Sequence, residues 1–245
     1  MKIKICIKPL TISVIMLVLL AGCEEEEKID PILFNSSMTY GNLTDQDGNS
    51  YKTVTIGSQV WMAQNLRTTR FNDNATIPKV KDSIAWSKLS TPAYCWYENY
   101  NSSLQNIYGA FYNWYAVNTG KLCPTGWHVP SDQEWITLRT FLGGEDLAGG
   151  KMKESGTSHW QSPNSGATNE SGFTALPSGM RGIVGTGNQG RFDGRGTDCS
   201  WWSTTKLNAE PLSLIFGLWI NTNYSRIFRR EFYESDGATV RCMKD

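Results

Sequence analysis

The periodicity of the chain changes twice along its length, and this alone excludes most fold classes. Near the start, Tyr51-Lys52-Thr53-Val54-Thr55-Ile56 alternates and is rich in β-branched residues, the pattern of a half-buried strand. Asp47-Gly48 ahead of it and Gly57-Ser58 behind it are turn signals, so a meander running into Gln59-Val60-Trp61-Met62 is predicted. Further along, Tyr108, Phe111, Tyr112 and Tyr115 recur at steps of three and four. That spacing predicts an aromatic-faced helix ending near Asn118-Thr119-Gly120. A second helix is marked by a capping box of Ser131 and Glu134, an apolar edge of Trp135, Leu138 and Leu142, and a stop at Gly143. From Gly149 onward, glycine-rich links separate short apolar runs at 172–176, 201–203, 216–220 and 238–242. Strands, two helices, then strands predict an α+β domain: an early β-hairpin, two helices and an antiparallel sheet with long loops. Ten Trp, ten Tyr, nine Phe and 23 Gly suit that layout, because rings can fill one core while glycines turn the chain.

The first residues carry an address. Lys2, Lys4 and Lys8 precede an apolar run from Leu10 to Leu20 that is too short to span a ~30 Å hydrocarbon layer as a helix. Leu20-Ala21-Gly22-Cys23 then resembles the lipobox of bacterial lipoproteins. Residues 1–22 are expected to leave as a signal peptide, and Cys23 to carry a diacylglyceryl thioether with a further acyl chain, such as palmitate, on its amine. More than one acyl chain anchors a protein stably, so the expected partner at this end is a membrane that the chain does not span. Glu24-Glu25-Glu26-Glu27 opens a polar stretch, and 23–42 reads as a lipidated acidic tether ahead of a domain at 43–245. Acidic residues beside the lipidated cysteine resemble surface-export signals of Gram-negative lipoproteins, which implies an outer-membrane protein facing outward.

The remaining charge and cysteines narrow the field. Without residues 1–22 the chain has 20 basic and 23 acidic residues, and no basic stripe of the kind nucleic-acid binders show. Cys95, Cys123, Cys199 and Cys242 remain, enough for two bridges in three connectivities, and no pair has the C-x-x-C spacing of a zinc or redox site. Asp45, Asp47 and Asn49 are spaced like the start of a calcium loop. Ser50, however, stands where that loop needs glycine and Ile56 where it needs glutamate, so these residues read as a turn. His128 and His159 are isolated, which suits neither a metal site nor a catalytic triad.

Five ordered segments carry a family resemblance: 53–66 (Thr-Val-Thr-Ile-Gly-Ser-Gln-Val-Trp-Met-Ala-Gln-Asn-Leu), 108–114, 123–131, 172–177 and the closing Val240-Arg241-Cys242-Met243-Lys244-Asp245. Together they resemble the Fibrobacter succinogenes major paralogous domain over residues 43–245. That family is grouped with C-type-lectin-like folds, which implies chain ends brought together and a disulfide from the first helix to the last strand. Here the implied pair is Cys123 with Cys242, leaving Cys95 and Cys199 as a second, weaker pairing.

The resemblance also frames function. Formylglycine-generating enzymes share the fold superfamily and end in a similar Arg-Cys strand, but they use a close cysteine pair and copper, and this chain offers no close pair. No enzyme activity and no cofactor are therefore expected. Calcium-dependent lectins use a Glu-Pro-Asn loop and a Trp-Asn-Asp strand. Here Leu212 follows Glu210-Pro211, and Trp219-Ile220-Asn221 lacks the carboxylate, so no metal is expected. The stretch from Leu212 to Gly237 interleaves aromatics and arginines, a mixture enriched at contact surfaces. Trp219, Asn221, Asn223, Tyr224, Arg226 and Arg229 are the expected binding face. The function expected is adhesion to, or recognition of, an extracellular protein or glycan; the alternatives are a structural envelope lipoprotein with no specific ligand and, behind it, an enzyme of the formylglycine-generating type.

Overall fold

The computed structural model describes residues 30–99, 102–183, 188–209 and 212–245. The signal peptide, Cys23 and the glutamate run lie outside the described residues.

The early meander forms as its pattern demands. Strands β1 (Tyr40–Thr44), β2 (Ser50–Ile56) and β3 (Gln59–Met62) pair antiparallel in register. The turn between β1 and β2 is held by Asp45, whose Oδ1 accepts from the Asp47 and Asn49 amides at 3.0 and 2.9 Å. Its Oδ2 accepts from the Tyr51 hydroxyl at 2.6 Å. These oxygens serve the turn.

Two short units follow: helix α1 (Ser83–Ser87) and strand β4 (Tyr94–Cys95). The predicted aromatic helix is instead three elements. Helix α2 (Ser102–Tyr108) stops, strand β5 (Phe111–Tyr112) pairs with β4, and Asn113 caps helix α3 (Trp114–Val117) through its side chain. Gly109 makes the break: its φ is +77°, and a Cβ there would meet the Asn65 Cβ at 2.6 Å and the Leu66 carbonyl at 2.9 Å. Strand β6 (Trp127–His128) then leads into helix α4 (Asp132–Phe141), where both halves of the predicted capping box are present. Helix α5 (Glu145–Met152) packs beside it. The described residues thus hold five short helices where two were expected.

The late half is strand and loop: β7 (Met180–Ile183), β8 (Asn188–Asp193), β9 (Asp198–Ala209), β10 (Leu212–Asn221), β11 (Ile227–Tyr233) and β12 (Met243–Lys244). β9, β10 and β11 form an antiparallel sheet with β10 in the middle. The run 172–176 is a loop, joined to the end of α5 by an isolated bridge from Lys153 to Ala175 and by the Ala175 amide donating to the Met152 carbonyl at 2.8 Å. β12 returns to lie between β3 and β6, giving a five-stranded sheet of order β1-β2-β3-β12-β6. The molecule is α+β with mixed small antiparallel sheets.

The core is aromatic on both sides of the β9–β11 sheet, because alternate residues of one strand face opposite ways. Trp202, Ile215 and Phe232 join Tyr112 and Trp114 in one buried cluster. Trp201, Leu218, Ile220 and Ile227 join Trp61, Trp135 and Phe173 in another, with Trp61 and Trp135 ring centroids 4.6 Å apart. Arg241, buried between these walls, places four of its five guanidinium protons on Asn65 Oδ1 and on the carbonyls of Met62, Phe173 and Thr174 at 2.7–3.0 Å. The arginine of the Arg-Cys motif is structural glue here: charge-assisted bonds satisfy three carbonyls that no strand partner reaches.

Cys123 and Cys242 are bonded, with sequence separation 119. Closing a loop of that size removes unfolded-state entropy worth about 4–5 kcal/mol in the chain-entropy account. Cys95 and Cys199 are free and buried in different clusters, which corrects the second pairing. Burial pushes the Cys95 thiol up to about 12 and the Cys199 thiol up to about 11, so neither supplies thiolate near neutrality. Cys199 does not lie near a loop surface; its sulfur sits 3.3 Å from Ser178 Oγ.

Part of the stretch 23–42, expected as a tether, is packed on the domain. Phe34, Met38 and Tyr40 pack on the second core cluster. The Leu33 amide donates to Glu154 Oε1 at 2.7 Å, and Asn35 Nδ2 donates to the Asn169 carbonyl at 3.0 Å. Apolar residues dispersed among polar ones hid this docking from a reading by composition.

Candidate functional site

Three elements build the surface at the far end of the β9–β11 sheet. Cross-strand register places Trp219 of β10 opposite Phe228 of β11, on the side of the sheet that carries Trp202 and Phe232 further along. Beyond Gly217 no helix covers that side, and both rings are half-buried. Their centroids lie 4.9 Å apart, and Tyr224 from the connecting turn meets Phe228 edge-on at 5.9 Å. Tyr224 is 55% exposed. Arg226 and Arg230 flank the rings, their guanidinium carbons 5.4 Å from the Phe228 centroid and 5.8 Å from the Trp219 centroid.

Asp198, at the start of β9, fixes the polar edge. Its Oδ1 accepts from Trp219 Nε1 at 2.8 Å and from Asn221 Nδ2 at 2.9 Å, and its Oδ2 takes the Thr197 hydroxyl. Asn221 Oδ1 in turn accepts the Asn223 amide at 2.7 Å, which tightens the turn. The indole therefore has one orientation, set by a carboxylate.

The turn itself rests on Lys153, at the end of α5. Its buried ammonium donates to the carbonyls of Ser165, Asn221 and Tyr224 at 2.9, 3.2 and 2.9 Å, using all three of its protons. Burial pulls the amine down to about 8, which still leaves it charged at neutral pH. Gly149 and Gly150 let the turn come this close. A Cβ on Gly149 would stand 2.7 Å from the Arg226 carbonyl, and one on Gly150 would stand 2.4 Å from the Gly166 carbonyl.

Five of the six expected face residues meet here: Trp219, Asn221, Asn223, Tyr224 and Arg226. Arg229 does not. It follows Phe228 by one position, so the pleat sends it to the other side of the sheet, over the Phe216 ring at 3.3 Å. There it forms a bidentate pair with Asp132 at 2.9 and 2.7 Å, at the start of α4. Arg226 spans two roles, since it also pairs with Glu145 at 3.1 Å. Phe228, Arg230, Asp198 and Lys153 belong to the site and were missed by the sequence reading. Pairing register would have found Phe228; a lysine ending a helix gives no signal at all.

The histidines are engaged on both ring nitrogens. His159 meets Glu154 Oε2 at 2.6 Å and the Asp30 carbonyl at 3.1 Å; His128 meets Asp245 at 2.6 Å and Glu134 at 3.0 Å. All four partners offer acceptor oxygens, a setting that favours the doubly protonated ring. For each, burial lowers the pKa, but the carboxylate bonds outweigh it and raise the value above that of a free imidazole. Among the described residues no group of three or more His, Cys, Asp or Glu is arranged to hold a metal. Among them, too, no helix is long and apolar enough to cross a membrane.

An α+β domain with its last strand returned to the first sheet, and a ring-and-arginine surface between its late strands, defines the class. The Fibrobacter succinogenes major domain matches residues 54–244, and the chain belongs to that family. No curated protein and no solved structure matches it.

Proposed function

We propose that this protein is a lipid-anchored recognition domain of the outer membrane, displayed outward, that binds an extracellular protein or glycan without doing chemistry on it. The observation that carries the reading is the Trp219–Phe228–Tyr224 surface, held rigid by Asp198 on one side and Lys153 on the other. Half-buried rings beside arginines are the composition of contact hot spots, and preorganised loops lose little entropy on binding. The anchor rests on the Cys23 lipobox and the acidic run after it. A C-type-lectin-like fold is supported by the return of β12 beside β3 and by the Cys123–Cys242 bridge. The non-enzymatic reading is supported by buried, protonated thiols and by histidines with no free nitrogen to accept a substrate proton.

The test uses intact cells making either the natural chain or an Asn223→Ala/Tyr224→Ala variant at equal surface level, checked by protease shaving. The expected result is cleavage of both proteins on unbroken cells, and at least tenfold weaker attachment of the variant cells to their target surface. Resistance to protease until the envelope is broken contradicts the display. Equal attachment by the two strains contradicts the face.

A further inference from the structure

The surface next to Trp219 is shaped for a particular ligand chemistry. An open depression of about 80 Å³ is lined by Met180, Asp193, Gly194, Asp198, Trp219 and Arg230. That is far below the roughly 300 Å³ at which a pocket encloses a small molecule, so a ligand lies across it. Most polar groups around it are committed. Asp198 is spent on Trp219, Asn221 and Thr197. Asp193 gives only Oδ1, to the Gly194 amide at 2.8 Å, which leaves Oδ2 as an exposed acceptor. Arg230 lies by the Trp219 and Phe232 rings and its charge acts on Asp236, but it makes no hydrogen bond or ion pair among the described residues, so its N–H groups are open to a ligand. The depression thus offers one flat apolar ring flanked by a free acceptor and a free donor.

Charge decides between ligand classes. Two carboxylates and one guanidinium border the ring, so a carboxylate or phosphate ligand meets net repulsion, while a cation drawn to Asp193 must give up the indole face, beside which the Arg230 guanidinium already stands. A neutral polyol meets neither penalty. Vicinal hydroxyls both donate and accept, which matches Asp193 and Arg230 together, and the C–H face of a pyranose covers an indole. We propose that this depression binds one residue of a neutral oligosaccharide chain, stacked on Trp219 and hydrogen-bonded to Asp193 and Arg230, with no metal ion taking part. This rests on the recognition reading above and names its ligand class. Lys153 already fills the Asn221 and Tyr224 carbonyls of the turn, and among the described residues no group of three or more His, Cys, Asp or Glu is arranged to hold a metal.

The test titrates the detergent-solubilised full chain with neutral hexasaccharides of gluco, manno, galacto and xylo configuration, in EDTA, by tryptophan fluorescence and calorimetry. The expected result is saturable binding of at least one of them that Arg230→Ala and Asp193→Asn each weaken about tenfold. Both positions are peripheral, so melting points stay within a degree or two. Trp219→Ala is expected to abolish binding, but it also removes a bond to Asp198 and is read only beside the other two. No binding by any of the four, binding unchanged in both peripheral variants, or binding lost in EDTA overturns the proposal. Attachment that depends on Tyr224 and survives enzymatic deglycosylation of the target overturns the saccharide while leaving the recognition reading standing.

Discussion

Two buried cationic side chains hold the recognition turn and the entry of the chain, and each makes a separate prediction. Lys153→Met keeps the volume but strands three carbonyls, two of them in the turn. The expected loss is roughly 2–3 kcal/mol, since an unmet buried acceptor costs about 1–3 kcal/mol and some regain water. Hydrogen exchange should rise across 221–226 and stay unchanged in β2, and uniform protection in the variant would contradict the role given to Lys153. His159 ties Asp30 to Glu154 as an imidazolium. Its folded pKa is raised, so its contribution is fully present below the unfolded value of about 6.5 and is lost as pH rises through the folded value. His128 has the same sign. Thermal unfolding should therefore show stability falling above about pH 6.5 in the natural chain. The fall should be shallower in His159→Gln and shallower still in the double variant with His128→Gln, where Asp236, raised to about 7 by burial, leaves a remainder that ends near neutrality. A double variant as steep as the natural chain would place the titration elsewhere.

At the scale of elements, local signals were legible where they were local in cause. The Ser131–Glu134 box formed as read, and a turn formed at Asp47-Gly48, though as a five-residue loop in which Gly48 alone has positive φ and Asp47 also takes the Thr69 amide. The aromatic spacing around Tyr108–Tyr115 misled because its cause is tertiary: Gly109 must let Asn65 and Leu66 approach, and the same rings then serve two helices and a strand. The binding face was legible as composition but not as geometry. Strand alternation, which needs the register of β11, separates Arg229 from Phe228. That separation is measurable. Tyr224→Ala should change stability by no more than about 0.5 kcal/mol, as an exposed ring does. Arg229→Ala should cost about 1 kcal/mol, discounted because the guanidinium is partly solvated, and Asp132→Asn should cost about the same. Equal and negligible losses at 224 and 229 would return Arg229 to the open face.

The described residues close on themselves at both of their ends. β12 sits inside the first sheet and Cys242 is bonded to Cys123, while residues 30–40 dock on the second core cluster and on the Glu154–His159 pair. Residues 30–40 and the C-terminal strand are thus fixed to the same core, and the late sheet presents an end where rings, arginines and a preset turn coincide. Phe141 is exposed as well, at the end of α4 and against Gly57, so it serves as a matched control. The most direct measurement is site-specific photocrosslinking in living cells, with the photoreactive side chain placed at 224 in one strain and at 141 in another. The account predicts covalent adducts to an external macromolecule from position 224 and none from 141. Adducts from 141 alone, or none from either under conditions where the cells attach, would contradict it.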